Sequence, residues 1–219
     1  MLPIIAPKIS EGTEIVELIK NDSIPPTLSK EKFQGKDFSF GSQWDVRCKY
    51  TRLIAWFILT TEVKGILSNY LKGKKVLEVA SGTGYLAAHM KDAGVNNYTA
   101  VDLQETHYWK EAKLFEGVKG NALESINDNY DVIVMTWPEY DDPFGAKVLD
   151  KMSNGQILIY QGEFHGGCTG DDRMFELLDK QFTELEDISY QLNDNHVRFS
   201  GIYDFWGVYV KGPLGLDQK

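Results

Sequence analysis

Residues 76–90 read VLEVASGTGYLAAHM: an apolar, strand-like run, a glycine-rich turn and then a small apolar helix. Gly82 and Gly84 allow positive φ and let a ligand approach the backbone closely. The helix behind the turn offers free N–H groups and the positive end of its dipole. Open α/β sheets bind ligands at the carboxyl ends of their strands, so this segment predicts a fold class and a binding site together.

From residue 73 onward, strand-like and helix-like segments alternate along the chain. This alternation predicts an α/β fold with a Rossmann-like, mostly parallel seven-stranded sheet and helices on both faces. The last two predicted strands cover 182–191 and 200–211. Only eight residues, 192–199, separate them. Parallel neighbours need a crossover of about a dozen residues, so we expect an antiparallel C-terminal hairpin.

Residues 1–72 are interpreted as an N-terminal arm with helices, packed on a core at 73–219 within one structural domain. Residues 11–20 predict a short helix. A second helical face is indicated by spacings of three or four residues. It contains Trp44, Arg47, Tyr50, Ile54 and Phe57. Thr60 or Thr61 is placed to cap the next helix. The extension is a candidate lid over the binding site.

Composition narrows the classes of function. The net charge of −9 argues against nucleic-acid binding, because affinity for a phosphate backbone comes mainly from Lys and Arg. The two cysteines and four histidines show no metal-ligand spacing. The longest apolar run, LIAWFIL, is too short to span a bilayer, which needs about 20 residues, and the N-terminus does not read as a signal peptide. We therefore expect a cytoplasmic protein without membrane or metal partners.

Glu78, inside the strand before the turn, decides between two ligand classes. Residues 82–87, GTGYLA, satisfy the dinucleotide pattern G-x-G-x-x-A. A carboxylate near the turn would repel the pyrophosphate of a dinucleotide, and its burial costs free energy unless a cation or hydrogen bond meets it. S-adenosylmethionine has no phosphate and carries a sulfonium and an ammonium. Glu78 therefore favours S-adenosylmethionine, with a nicotinamide or other dinucleotide as the alternative.

The pattern Glu78-x-Ala80-x-Gly82-x-Gly84 resembles the first motif of class I S-adenosylmethionine-dependent methyltransferases, with alanine in place of the first glycine. The resemblance extends over residues 76–211. It implies that an acidic residue after the second strand binds the ribose hydroxyls, and that the ends of later strands contact the adenine and the methyl group. The further cofactor-binding residues implied in this way are Asp102, Leu103, Asn121, Ala122, Thr136 and Trp137.

Two loops are candidates for the chemistry. Residues 136–143, TWPEYDDP, partly match the [D/N/S]-P-P-[Y/F/W] loop of amino-methyltransferases, with tryptophan at the polar position. Residues 162–172 read GEFHGGCTGDD. Together the loops resemble a little-described group of bacterial and viral methyltransferase-like proteins. The candidate catalytic residues are Glu139, Tyr140 and His165, and the candidate substrate-binding residues are Trp44, Arg47, Tyr50 and Glu163.

Each of these side chains also has a structural interpretation: His165 as a loop histidine, Tyr140 as a packing residue, and the face of Trp44 and Arg47 as helix-on-sheet packing. Methyl transfer to a small molecule or a protein side chain is the favoured function. Three alternatives remain. They are cleavage or another use of S-adenosylmethionine, cofactor binding without catalysis, and amino-methylation of a nucleic acid.

Overall fold

The computed structural model describes residues 24–30, 40–104, 114–199 and 201–213. The predicted helix at 11–20 lies outside these ranges. The sheet has seven strands in the order β3-β2-β1-β4-β5-β7-β6. They are β1 (Val76–Val79), β2 (Tyr98–Asp102), β3 (Val118–Lys119), β4 (Val132–Thr136), β5 (Ile157–Gly162), β6 (Phe182–Glu184) and β7 (Phe205–Lys211).

Strands β1 to β5 are parallel to one another, and β1 lies between β2 and β4. Strand β7 pairs antiparallel with both β5 and β6. The predicted Rossmann-like class, with a mostly parallel sheet and an antiparallel C-terminal pair, is confirmed.

Helices cover the sheet. They are α1 (Phe40–Leu53), α2 (Thr61–Leu71), α3 (Tyr85–Asp92), α4 (Ala122–Ser125), α5 (Phe144–Lys151), α6 (Asp172–Gln181) and α7 (Glu186–Asn195). The predicted cap of α2 is confirmed, because Thr60 Oγ1 accepts a hydrogen bond from Val63 N at 3.1 Å. Helix α1 ends at Leu53, so Ile54 and Phe57 of the predicted helical face lie beyond it.

The strands place alternate residues in two apolar layers, as a sheet buried on both faces requires. One layer joins Val134, Ile159 and Val208 of the strands to helices α1, α2, α3 and α7. The other joins Ile133 and Leu158 to helices α4, α5 and α6. The sheet therefore has helices on both faces, as predicted.

The prediction of a strand over 182–191 is wrong, because β6 ends at Glu184 and α7 begins at Glu186. Two polar side chains of α7 take over the pairing of β7 that a longer strand would have provided. Ser189 Oγ accepts from Val208 N at 2.9 Å, and the Asn193 amide bonds both backbone groups of Trp206 at 2.6 and 2.9 Å. The backbone donors and acceptors of β7 are thus satisfied without a strand.

One edge of the sheet carries the carboxyl ends of β1, β2, β4 and β5, and we call it the carboxyl edge. The amino end of β7 lies there too, because Trp206 pairs with Gln161 at the end of β5. Segment 196–204 leads from α7 to β7, and its described parts, 196–199 and 201–204, reach this edge. Phe199 contacts α1, with its ring centroid 5.8 Å from that of Tyr50. In the described ranges, none of the helices combines the length and apolar character that a membrane crossing needs.

Candidate active site

The glycine turn after β1 is held in left-handed backbone conformations. The φ angles are 50° at Ala80, 57° at Gly82 and 70° at Gly84. A Cβ atom on Gly84 would lie 1.8 Å from the carbonyl oxygen of Glu116. Glycine is required at this position because a side chain would collide with the segment that leads into β3. The predicted turn is therefore a tightly packed backbone structure at the carboxyl edge.

Asp102 ends β2 and is buried beside this turn. Its carboxylate accepts hydrogen bonds from Gly82 N at 2.9 Å and from Gln104 N at 2.6 Å. Asp102 thus connects the turns that follow β1 and β2 and places a carboxylate at the glycine turn. Each carboxylate oxygen has a further lone pair that can accept a hydroxyl donor from a ligand.

Glu78 is also buried, with 1% of its surface exposed. Its Oε2 accepts a hydrogen bond from the Tyr98 hydroxyl at 3.1 Å. Burial, together with the neighbouring charge of Asp102, raises the pKa of Glu78 to about 8, although the Tyr98 bond acts in the opposite direction. Glu78 is therefore mainly protonated at neutral pH, and a nearby cation would favour its ionised form.

The remaining residues of the predicted cofactor site have varied surroundings. The Leu103 side chain is exposed after β2. Asn121 caps α4: its side-chain oxygen accepts from Leu123 N at 3.1 Å, and its amide donates to Glu124 at 2.9 Å. Ala122 is buried behind it. Asn121 therefore already has local partners, and its proposed contact with an adenine edge stays a prediction.

The two candidate loops are joined through their backbones. Gly170 N donates to Pro138 O at 3.1 Å, and Asp141 N donates to Gly170 O at 2.9 Å. Trp137 has a φ angle of 50°, and its backbone N–H donates to Gln161 O at 2.6 Å. This bond connects the start of the first loop to β5. The loops after β4 and β5 therefore form one continuous wall at the carboxyl edge.

Arg47 lies among three tryptophans. Its guanidinium carbon is 5.3 Å from the ring centroid of Trp44, 5.4 Å from Trp56 and 5.7 Å from Trp137. The rings of Trp56 and Trp137 stack with centroids 6.1 Å apart. These distances are typical of cation–π contacts, which strengthen when the cation is desolvated, and Arg47 is buried. Helix α1 is thus brought against the loop after β4.

Glu163 connects two backbone segments near Arg47. Its carboxylate accepts hydrogen bonds from Cys168 N and Tyr203 N, both at 2.7 Å. These bonds connect the loop after β5 with segment 196–204. Glu163 is 5% exposed, and its charge favours the protonated form of Arg47, whose pKa burial lowers. Among the predicted substrate-binding residues, Trp44, Arg47 and Glu163 are therefore brought together.

Other predicted residues are not brought to this group. Tyr50 is buried in the apolar layer below, with its ring against Phe199. His165 pairs with Asp179 of α6 at 3.1 Å on the surface. Glu139 and Tyr140 lie on the outer side of the loop after β4, and 66% of the Tyr140 surface is exposed. Their predicted catalytic roles stay predictions.

Residues that the sequence analysis did not select complete the edge. Gln161 is fully buried and donates to Asp204 Oδ2 at 2.6 Å, and His196 Nε2 lies 3.3 Å from the same oxygen. A polar residue inside the buried run QILIYQG was a readable signal for Gln161. Nothing local indicated His196 or Asp204, because His196 lies among the eight residues between the last two predicted strands and Asp204 lies within the predicted strand at 200–211. Across the described ranges, no group of His, Cys, Asp and Glu side chains is arranged to hold a metal ion.

Comparison with known proteins gives one relative by sequence. No protein-family model matches the chain. The "eEF1A lysine and N-terminal methyltransferase" of Xenopus laevis is 27% identical over 126 residues, which is 56% of this chain and 17% of that protein. The chain thus spans less than a fifth of the length of this relative.

Solved structures with a similar arrangement include two methyltransferases. The N-methyltransferase NodS from Bradyrhizobium japonicum WM9 is 14% identical, with 69% of this chain and 94% of that chain covered and a TM-score of 0.44. A putative O-methyltransferase from Klebsiella pneumoniae is 13% identical, with 93% of this chain and all of that chain covered and a TM-score of 0.46.

Proposed function

We propose that the chain is an S-adenosylmethionine-dependent methyltransferase whose cofactor binds at the glycine turn. The observation that carries the proposal is the hydrogen bond from Gly82 N to the carboxylate of Asp102. A dinucleotide needs such N–H groups for its pyrophosphate, and a carboxylate beside them would repel it. The hydroxyls of a ribose and a cationic amino-acid group suit the same carboxylate.

The residues of the turn fit this cofactor in a second respect. Gly84 has no side chain at the point where the turn packs against the segment before β3. Glu78 lies below the turn and is mainly protonated. The positive charges of the cofactor would stabilise the ionised form of Glu78. When bound, S-adenosylmethionine supplies an electrophilic methyl group. In this proposal Asp102 binds the ribose, and Thr136 and Trp137 lie beside the reacting group.

The protein's contribution to the reaction is mainly positioning. Holding an acceptor in line with a reactive group can supply much of the rate acceleration. We propose that α1 and the joined loops after β4 and β5 exclude water from the acceptor side. Glu139 and Tyr140 remain candidates for contacting the acceptor from the loop after β4. The acceptor is a small molecule or a protein side chain, and the name of the Xenopus relative refers to protein acceptors.

The test is binding of S-adenosylmethionine and S-adenosylhomocysteine, beside NADH, measured by calorimetry. The variant is Asp102→Asn, which keeps the shape of the side chain and removes its charge together with one of its two backbone hydrogen bonds. We expect the wild type to bind the sulfur nucleosides and not NADH, and the variant to bind them on the order of 10- to 100-fold more weakly. Asp150→Asn is the matched control, because Asp150 is an exposed carboxylate near the end of α5.

Two results would contradict the proposal. One is a wild-type preference for NADH over S-adenosylhomocysteine. The other is an equal affinity in Asp102→Asn and Asp150→Asn, which would mean that the carboxylate at the glycine turn does not contact the ligand.

A further inference from the structure

Arg47 is a buried cation that has no ion-pair partner among the described residues. Its side chain is 7% exposed, its Nε has no hydrogen-bond partner, and none of the ion pairs between described residues includes it. Burial lowers the pKa of Arg47, while the nearby acidic groups of Cys48, Asp204 and Glu163 act in the opposite direction. A buried guanidinium normally has hydrogen-bonding partners, so the Nε–H of Arg47 is available for an anionic group of a ligand.

Asp204 is the opposite case, a buried carboxylate with one oxygen unused. It is 2% exposed. Its Oδ2 accepts from Gln161 Nε2 at 2.6 Å, whereas Oδ1 has no partner. Gln161 Oε1 and both ring nitrogens of His196 also lack hydrogen bonds. Two unused acceptor oxygens therefore lie together, and they fit the N–H donors of a ligand.

These four residues, Arg47, Gln161, His196 and Asp204, form what we call the polar cluster. It lies at the carboxyl edge over β5 and β7, next to the proposed site for the methyl group, because Gln161 pairs with Thr136 in the sheet. Arg47 and Asp204 attract each other, yet they are not an ion pair. A ligand with the opposite arrangement of charges would lie between them and satisfy both.

We infer that the polar cluster is the acceptor pocket and takes a small molecule that carries both an amine and a carboxylate, as an amino acid does. The carboxylate lies against Arg47, and the amine lies against Asp204 and Gln161. The inference rests on the proposed function and deepens it, since it selects a small molecule over a protein side chain. The burial of all four cluster residues favours this class, because a group that enters the pocket is enclosed.

The tryptophans support the same assignment. Trp44, Trp56 and Trp137 surround the guanidinium of Arg47 and restrict its movement, so its position is set before a ligand carboxylate binds. Glu163 is less suited to bind the amine, because both of its oxygens already accept backbone N–H bonds. Asp204 is therefore the carboxylate that meets the amine.

The experiment measures transfer of label from S-adenosylmethionine with a radioactive methyl group. Three acceptor preparations are compared: the proteinogenic amino acids, a deproteinised cell extract, and the protein precipitate of that extract. Labelled products are run on a cation exchanger at acidic pH and an anion exchanger at alkaline pH. The variants are Arg47→Met, Arg47→Lys and Asp204→Asn, with Arg173→Met and Asp150→Asn as controls, since Arg173 and Asp150 form an exposed surface pair.

We expect label in a small molecule that both exchangers retain. Transfer should fall on the order of 100-fold in Arg47→Met and Asp204→Asn, less in Arg47→Lys, and remain unchanged in the controls. Affinity for S-adenosylhomocysteine, measured by calorimetry on the same preparations, should change by less than about threefold, because the cluster lies on the acceptor side. This binding also shows that each variant is folded.

Several results would overturn the assignment. Label in the protein precipitate, label in no preparation while S-adenosylhomocysteine binds, or a product that only one exchanger retains would each exclude an amino-acid-like acceptor. Loss of S-adenosylhomocysteine affinity in Arg47→Met would mean that Arg47 binds the carboxylate of the cofactor instead. Failure of the proposed function is a separate result, because the wild type would then not bind S-adenosylhomocysteine.

Discussion

Replacing Glu78 with glutamine should make the protein more stable, and increasingly so as the pH rises. Burial raises the pKa of Glu78 from 4.5 to about 8. Between these two values the native state holds a proton that the unfolded state has lost. The wild type therefore loses stability as the pH rises through this range, since unfolding is then favoured by proton release. Glutamine carries no proton to lose and can still accept the hydrogen bond from Tyr98.

The expected magnitude follows from the pKa shift. Each pH unit between the two pKa values costs the wild type about 1.4 kcal/mol, so the total is on the order of 5 kcal/mol. Near pH 5 the two proteins should have almost the same free energy of unfolding. By about pH 8 the variant should be more stable by several kcal/mol, and above that pH the difference should stay constant.

The assay is urea unfolding followed by tryptophan fluorescence, at pH values from about 5 to about 8. The control is Glu176→Gln, the same chemical change at an exposed residue whose pKa is lowered by a hydrogen bond from Lys180. That variant should differ from the wild type by a constant amount over this range, since Glu176 is already ionised. A constant difference for Glu78→Gln as well would refute the reasoning, because it would mean that Glu78 is ionised in the native state.

Three further substitutions test the packing around the site, each by urea unfolding. Gly84→Ala should lower the free energy of unfolding by about 3 kcal/mol or more, because the new Cβ collides with the backbone of Glu116. Its control is Gly73→Ala, which has a similar φ and open space around it and should lower that free energy by only about 1 kcal/mol. Thr60→Ala removes the cap of α2 and should cost about 1–2 kcal/mol. Glu163→Gln should cost about 2 kcal/mol and increase hydrogen exchange in the loop after β5, because the amide cannot accept both backbone donors. Three results would contradict these arguments: equal losses of stability in the two glycine variants, no loss of stability in Thr60→Ala, and unchanged hydrogen exchange in Glu163→Gln.

The fold followed from local signals that are strong in this chain. Strands β4 and β5 are nearly continuous apolar runs bounded by turn residues, and α2 has a capping threonine at its start, so the sequence itself indicates these elements. The error at 182–191 has a non-local cause. Helix α7 is stabilised by hydrogen bonds between the side chains of Ser189 and Asn193 and the backbone of β7. The residues next to these two in the sequence do not indicate such contacts.

The candidate site could be predicted only where its residues follow a strand directly. The turn at Gly82 and the acid at Asp102 were predictable because each ends a parallel strand, and parallel neighbours bring such ends together. His196 and Asp204 follow a helix or precede an antiparallel strand, so their position depends on the whole path of the chain. Arg47 was predictable as part of a helical face, but its contact with Trp137 depends on how α1 packs against the sheet.

Features that cost stability are concentrated at the carboxyl edge. Three non-glycine residues with positive φ, Ala80, Gln104 and Trp137, lie within two residues of the ends of β1, β2 and β4. Glu78 is buried under the first of these turns, and Arg47 and Asp204, each with an atom that lacks a hydrogen bond, are buried beside the last. Strained backbone of this kind costs about 1–3 kcal/mol per residue, and buried charges cost free energy unless a partner meets them. A ligand with a ribose, a cation and a carboxylate would relieve the electrostatic part of these costs. This is the physical reason for assigning both the cofactor and the acceptor to this edge.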